Sequence, residues 1–454
     1  MSGTPSLFIG SGAGFSGDRV DAALPVVEEL VRLGGTSVLI FETLAERTLA
    51  LAQLARRQDP SGGYEPLLDE LLRPVLRPCL AHGIRIVGNF GAAHPVGAAR
   101  RILQLARELG LRRPRVAVVE GDDVSGPQWA GALQQASAGA LNDRQLVSAN
   151  AYIGAASIAD ALKAGADIVV AGRVADPALV LGPAWAHFGW RCDDWDRLAG
   201  ATMAGHLLEC GAQVSGGYYA DPGVKEVPDL ARLGYPVAQL FDDGSCIIGK
   251  PMGSGGVIDR HTVTEQLLYE VHDPSAYLTP DVVADITQVE LEELGPDRVR
   301  VRGVRGHPRP ETLKVNLCFA SGWLAEAEIS YAGVRAEERA RLAANVVRQR
   351  MGAGVRLRAD LIGVCSVLAD DEGVLMAATE AQHATDVRLR LALRDDNPAL
   401  AQRLLREVTA LYTCGPAGGG GVRTRLSPTL GMVSCYLPRE LITTRHVWME
   451  DESV

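Results

Sequence analysis

The chain of 454 residues is poor in aromatic side chains, at 5%, and has no apolar run of the roughly 18 residues that a membrane span needs. It lacks an excess of positive charge. Its 45 Lys and Arg stand against 55 Asp and Glu, a formal net charge of −10, so neither nucleic acid nor a membrane surface is expected as a partner. The opening MSGTPSLFIGSGAG has neither the charged start nor the apolar stretch of a secretory signal, and a cytoplasmic protein is expected. The 8 cysteines form no CxxC or CxxxC pair, and the 9 histidines show no HxxxH or HxH spacing. A zinc ribbon or an iron–sulfur cluster therefore has no support, free thiols are the default, and whether a metal takes part is left open.

What is present is small and flexible. Gly contributes 50 residues and Pro 24 without a fixed short period, against a hydrophobic share of 47%, which is the composition of a packed protein with many tight loops. Short apolar runs at residues 6–10, 37–41, 84–88, 115–120, 146–149 and 167–171 alternate with amphipathic stretches at 24–33, 44–57, 98–109 and 157–164. That alternation predicts an α/β domain over residues 1–225, a mainly parallel sheet with helices on both faces. The Pro-, Gly- and charge-rich segment YADPGVKEVPDLARLGY marks the expected boundary. Residues 226–454 read as an α+β domain of mostly antiparallel strands at 298–304, 313–320, 324–331, 357–365 and 387–393, with helices at 336–351 and 398–411.

Ligands of such sheets bind outside the carboxyl ends of the strands, and here those ends are polar or glycine-rich. The first is followed by Gly12, Gly14, Asp18 and Arg19, a glycine loop resembling an anion cradle that fits the dinucleotide GxGxxG pattern only loosely. Glu42 ends the second, with Glu46 and Arg47 one turn later, where they fit equally well as solvated pairs. Asn89, Gly91 and His94 follow the third, the pair Asp122 and Asp123 the fourth, Asn150 and Tyr152 the fifth, and Arg173 and Asp176 the sixth. Six strand ends would meet around one crevice. Two adjacent acids are more often a turn than a cation site or an acid–base pair, and Asp176 before Pro177 also reads as a helix cap. Arg173, between an apolar strand and a helix start, needs a carboxylate partner or an anionic ligand.

Further along, Cys210 is a candidate nucleophile, although a packed thiol is the commoner reading without a dedicated base beside it. Lys250 among glycines suits an anion. The run Gly418, Gly419, Gly420 and Gly421 costs much backbone entropy to order, which favours a loop whose amides approach a ligand over a linker.

Taken together, GAGFSGDR, FETLAERT, GNFGAAHP, GDDV, GADIVVAGRVADP, ECGAQ, TVTEQLLYEVHDPSAYLTPDVVAD and CGPAGGGG, in this order, closely resemble the acyclic terpene utilization AtuA family, a family of unknown function. One motif departs from the family pattern: His94 precedes the proline where members usually carry Asn. The resemblance implies carbon metabolism on carboxylates or acyl-CoA thioesters, with coenzyme A as part of the substrate. Longer members carry a small C-terminal ferredoxin-like domain, which leaves two options here: a separate small ferredoxin-like partner chain, or no need for that module. A homo-oligomer is expected only as the general habit of such enzymes.

The expected activity is therefore that of a hydratase or lyase. It would add or remove water, or cleave a bond, beside the activated carbonyl of a terpenoid or branched acyl compound. Glu42, Asp122 and Asp123 would serve as acid–base groups, the Gly12–Gly14 and glycine-run amides as the anion cradle, and Arg173 would orient a substrate carboxylate. Two alternatives are a non-catalytic acyl-CoA-binding subunit associated with a carboxylase and a Cys210-dependent acyl transferase or thioesterase.

Overall fold

A computed structural model describes residues 6–141 and 144–450. The chain divides into two compact units, one comprising Met1–Asn142, Leu146–Cys318 and Met432–Val454, the other Asp143–Gln145 and Phe319–Gly431. The position 225/226, where a boundary is expected, lies inside the first unit, and the main part of the second unit begins at Phe319.

The first unit is built on strands β1 (Ser6–Ser11), β2 (Thr36–Phe41), β3 (Arg85–Gly88), β4 (Val116–Glu120), β5 (Leu146–Ala151), β6 (Ile168–Val170), β7 (Val237–Phe241) and β8 (Cys246–Gly249). Its large sheet is mixed, in the order Glu290–Gly295, Arg298–Arg302, β8, β7, β1, β2, β3, β6, β4, Arg445–Trp448. The central β1, β2, β3, β6 and β4 run parallel as expected. β7 adds antiparallel to β1, which explains why the domain does not end near residue 225: the next strands extend the same sheet.

The pleat sorts the apolar residues to two faces. Val38 and Ile40 of β2 enter one core cluster, with helices Ala156–Lys163, Ala178–Phe188 and Trp195–Glu209. Leu39 and Phe41 enter the other, with helices Ala23–Leu33 and Pro95–Glu108. Near-continuous apolar strands covered on both sides are what parallel sheets require.

One expected member is missing from the parallel set. β5 pairs with the long strand Thr312–Ala332, while the edge beside β4 is taken by Arg445–Trp448, with Arg445 opposite Glu120. The main-chain N–H of Tyr152 donates to the Lys314 carbonyl at 2.9 Å, so this pairing sets Lys314 beside Tyr152. The helix Trp195–Glu209 is buried from Leu198 through Glu209 because its Ala- and Gly-rich face lets neighbours approach. A Cβ on Gly205 would lie 2.7 Å from Pro177 Cα, and this contact brings Glu209 to the region of Asp176.

The second unit has an antiparallel sheet in the order Arg358–Ile362, Asp386–Asp395, Thr312–Ala332, Gly420–Pro438, with helices Ala336–Met351 and Pro398–Cys414 sharing its core. The two strands expected at 313–320 and 324–331 form one continuous strand. The glycine run feeds straight into the strand Gly420–Pro438, and a Cβ on Gly419 would meet Ile329 and Tyr331 of the same unit.

Candidate active site

The strand ends gather around two cavities of the first unit. The larger, about 650 Å³, is lined by Glu42, Glu46, Tyr152, Arg173, Asp176 and Lys314 on one side. Gly14, Asp18, Glu209, Cys210, Tyr235 and Glu270 belong to the same lining. The smaller, about 410 Å³, is lined by Arg56, His94, Asp122, Asp123, Ser125 and Asn150. The single crevice expected from the sequence is thus divided.

Arg173 forms part of the partition. It is 1% exposed, and its guanidinium donates from Nε to the Val174 carbonyl at 2.8 Å, from Nη1 to the Leu44 carbonyl at 2.6 Å, and from Nη2 to Asp176. It also stacks over the Tyr152 ring, 4.6 Å from the centroid. Its charge is therefore answered by Asp176 and main-chain carbonyls, so the expected substrate carboxylate is not needed to explain it. Its main-chain N–H donates to Asp122 Oδ2 at 2.9 Å, which ties the wall of one cavity to the other.

Glu42 ends β2 and is 7% exposed. Its Oε1 accepts from Leu44 N at 2.9 Å and from Asn89 Nδ2 at 2.7 Å, while Asn89 Oδ1 accepts from Thr43 N at 2.8 Å. Asn89 therefore acts as a rigid brace under the carboxylate. Burial, reinforced by the Asp176 charge, pushes the Glu42 carboxyl well above its ordinary range against the opposing pull of Arg173 and Asn89. Burial likewise raises Asp176 in spite of Arg173.

The opposite charge arrangement surrounds Glu46. Burial pushes its carboxyl up, but Tyr152 Oη donates to it and Lys314 Nζ lies 3.3 Å away, and the net displacement is downward. The Tyr152 ring is held between two cations, Arg173 and Lys314, each 4.6 Å from its centroid.

The anion-cradle expectation for Gly12 and Gly14 is corrected. Gly12 N–H donates to the Ile40 carbonyl at 2.8 Å and Gly14 N–H to Asp18 Oδ2 at 2.8 Å. Both amides are spent within the chain. The absence of a side chain at Gly14 is required by packing, because a Cβ would lie 2.5 Å from Cys210 C and Gly211 N. Asp18 is further held by Tyr235 Oη at 2.5 Å. Arg19 binds the carbonyls of Ala231 and Leu230 and lines a separate depression. Gly91 N–H donates to Ala171 O at 3.0 Å.

Other expectations are also redirected. Lys250 Nζ lies 3.0 Å from Asp297 and donates to Ser254 O at 2.9 Å, so it braces a loop and lines neither cavity. Asp123 Oδ1 accepts from Ser125 N at 2.9 Å and Ser125 Oγ at 2.6 Å, the turn that adjacent loop acids usually form. Asp122, 6% exposed, accepts from Asn150 Nδ2 at 2.9 Å, and burial raises its carboxyl to about 6. His94 Nδ1 lies 2.9 Å from the Gly62 carbonyl. Gly418, Gly419, Gly420 and Gly421 belong to the second unit.

Cys210 lines the larger cavity, but burial and the Glu209 charge push its thiol up, and the nearest histidine on its helix is engaged elsewhere. His206 Nδ1 pairs with Glu209 Oε1 at 2.8 Å. Burial therefore disfavours the thiolate form that a nucleophilic Cys210 would need.

Sequence reasoning missed Glu209, His206, Lys314 and Glu270. Glu209 and Cys210 stand side by side in ECGAQ, and a carboxylate at a helix end carries no sign in the sequence that it is buried. Among the described residues no group of three or more His, Cys, Asp or Glu side chains is arranged to hold a metal ion, and no helix is long and apolar enough to cross a membrane. No curated protein matches the chain. The family model for the acyclic terpene utilisation family protein AtuA matches residues 7–448, which takes in the glycine loop, every strand end of both cavities and the glycine run. On that near-complete match the chain belongs to the AtuA family.

Proposed function

We propose that this protein is an enzyme of acyl-CoA or carboxylic acid metabolism. In this reading it moves protons beside an activated carbonyl, adding or removing water or cleaving the adjacent bond of a branched or terpenoid acyl group. The observation that carries this reading is Glu42: a carboxyl 7% exposed in the wall of a cavity of about 650 Å³, with one oxygen fixed by Asn89 and the Leu44 amide, and pushed well above its ordinary range by burial. A carboxyl raised in this way keeps its proton to higher pH than an exposed one and binds it more tightly, which suits it to general acid–base catalysis. Cavities of this size take the acyl part of a drug-sized molecule.

In this reading Lys314, which shares Glu46 with the Tyr152 hydroxyl, would turn a donor toward a carbonyl oxygen that gains charge as the adjacent C–H bond breaks. Arg173 fixes Asp176 and Tyr152 in place. The thiol reading is not carried forward, because burial disfavours the Cys210 thiolate.

The test is a mass-spectrometric screen of the purified protein against acyl-CoA thioesters and the corresponding free acids, with Glu42→Gln alongside. Turnover by the native protein that falls at least about tenfold in Glu42→Gln, roughly 1.4 kcal/mol of barrier, with an unchanged unfolding midpoint, is the expected result. Undiminished turnover in that variant removes Glu42 from the chemistry. A native protein that turns over no member of the panel removes the reading.

A further inference from the structure

The helix Trp195–Glu209 carries a buried acid–base couple that the reading above does not use. His206 is 1% exposed and Glu209 7%, with Nδ1 and Oε1 2.8 Å apart. Among the described residues the far atoms of both groups, His206 Nε2 and Glu209 Oε2, have no hydrogen-bond partner, and neither has Thr202 Oγ1 one turn earlier. Leaving a buried carboxylate oxygen unmatched costs free energy, because the group has given up its water and gained nothing in return. Glu209 lines the cavity that Glu42 lines, and its unmatched oxygen is buried behind that lining, so a substrate would reach it only as the side chain turns into the cavity.

From this geometry we infer that Glu209, oriented by His206, is a second proton-transfer residue of the cavity, working in alternation with Glu42. His206 is a positioning residue: its Nδ1–H fixes one carboxylate oxygen and leaves the other for the substrate. The inference deepens the acid–base reading above and rests on it for the reaction.

In the dehydrating direction one of the two carboxylates removes the proton on the carbon beside the carbonyl, and the C–H electron pair becomes the new C=C bond. The other, as the acid, protonates the departing hydroxyl, which takes the C–O electron pair and leaves as water. One residue ends protonated and the other ionised, and exchange with solvent restores them. Hydration is the same sequence reversed. Two carboxyls on separate strand and helix walls suit this division, since a single group would have to deliver and collect protons at two different carbons' substituents.

The ionisable groups around the couple are Asp176 and Glu270, which raise the Glu209 carboxyl, together with Cys210 and Tyr277, whose own ionisation Glu209 opposes. The Tyr277 ring lies 5.2 Å from that of His206. Glu42 is felt at Cys210 and so reaches the same corner. Burial is the largest cause holding Glu209 at about 7, and His206 opposes it.

The experiment uses the full chain labelled with glutamate carrying carbon-13 in the carboxyl group, titrated by NMR and assigned with Glu209→Gln. The expected resonance titrates near 7 and moves upward in His206→Gln, because the opposing positive partner is removed. A Glu209 resonance titrating in the ordinary range near about 4.3, or one unmoved by His206→Gln, overturns the inference. The kinetic arm uses branched 3-hydroxyacyl-CoA and 2-enoyl-CoA thioesters. Glu209→Gln should lower kcat by at least about tenfold, and His206→Gln should shift the pH limb of kcat/KM while leaving KM within about twofold. Full kcat in a folded Glu209→Gln protein also overturns it. If neither thioester series is turned over by the native protein, the acid–base reading falls while the NMR arm still decides whether the couple holds an exchangeable proton.

Discussion

Asp122 offers a quantitative test of how this protein places carboxyl groups. It is 6% exposed, accepts from Asn150 and from the Arg173 amide through one oxygen, and is raised from 3.8 to about 6, first of all by burial. At 1.36 kcal/mol per tenfold change in proton affinity, that displacement amounts to about 3 kcal/mol. The sign follows from which form the fold prefers. Because the folded protein holds this proton more tightly than the unfolded chain does, the contribution is fully present below pH 3.8. It is lost as the pH rises towards about 6, and is constant above that.

Asp122→Asn keeps an oxygen for both hydrogen bonds and turns the other end of the group toward the smaller cavity, where water can serve the amide. The variant should therefore gain about 3 kcal/mol on the native protein between pH 3.5 and pH 8, whatever its offset at the acid end. Urea unfolding followed by tryptophan fluorescence reads this well, since Trp129, Trp185, Trp190, Trp195 and Trp448 all belong to the first unit and only Trp323 to the second. A stability difference between the two proteins that does not change with pH would refute the reasoning and show that Asp122 titrates as an ordinary surface carboxyl.

Two further substitutions separate architecture from chemistry. Arg173→Met strands Asp176 and the Val174 and Leu44 carbonyls, and should cost about 3–5 kcal/mol in urea unfolding, so its loss of activity would accompany loss of fold; a native midpoint would show that the ion pair is dispensable. Gly14→Ala sets a methyl group 2.5 Å from main-chain atoms of Cys210 and Gly211, which cannot rotate away, and should cost about 1–3 kcal/mol; an unchanged midpoint would place the loop farther from the helix end.

Much of the scaffold was readable because the signals were local. Parallel strands buried on both faces are short apolar runs, and β1, β2, β3, β4 and β6 stand where the runs are. β5 was equally visible as a strand, yet its partner was not. Nothing in LVSANA says that it pairs with residues more than 160 positions later rather than with its neighbour in sequence. For the same reason Lys314 stayed hidden: it reads as one charge in a strand, and only the Tyr152–Lys314 main-chain bond makes it part of the site. The glycines were misjudged in the other direction. Counting amides near a helix start does not reveal that Ile40 O and Asp18 already accept from them.

With the Gly12 and Gly14 amides already spent, the cavity is suited to a different ligand. A cradle of unspent amides would attract an anion, whereas the wall found here carries Asp18, Glu42, Glu46, Asp176, Glu209 and Glu270 against Arg173 and Lys314. Burial separates three of these carboxyls: Glu42 and Glu209 rise, while Glu46, served by Tyr152 and Lys314, is displaced downward. The cavity therefore stores protons on one set of groups and a compensated ion pair on another. A phosphate or a second carboxylate would meet repulsion in it, so an acyl-CoA would have to leave its nucleotide end outside and offer only the neutral acyl carbonyl to the Tyr152 and Lys314 wall. On the proposed reading, selection for an uncharged acyl end and readiness to exchange protons with it would have one physical origin, the burial of carboxyls at the strand ends and on the helix Trp195–Glu209.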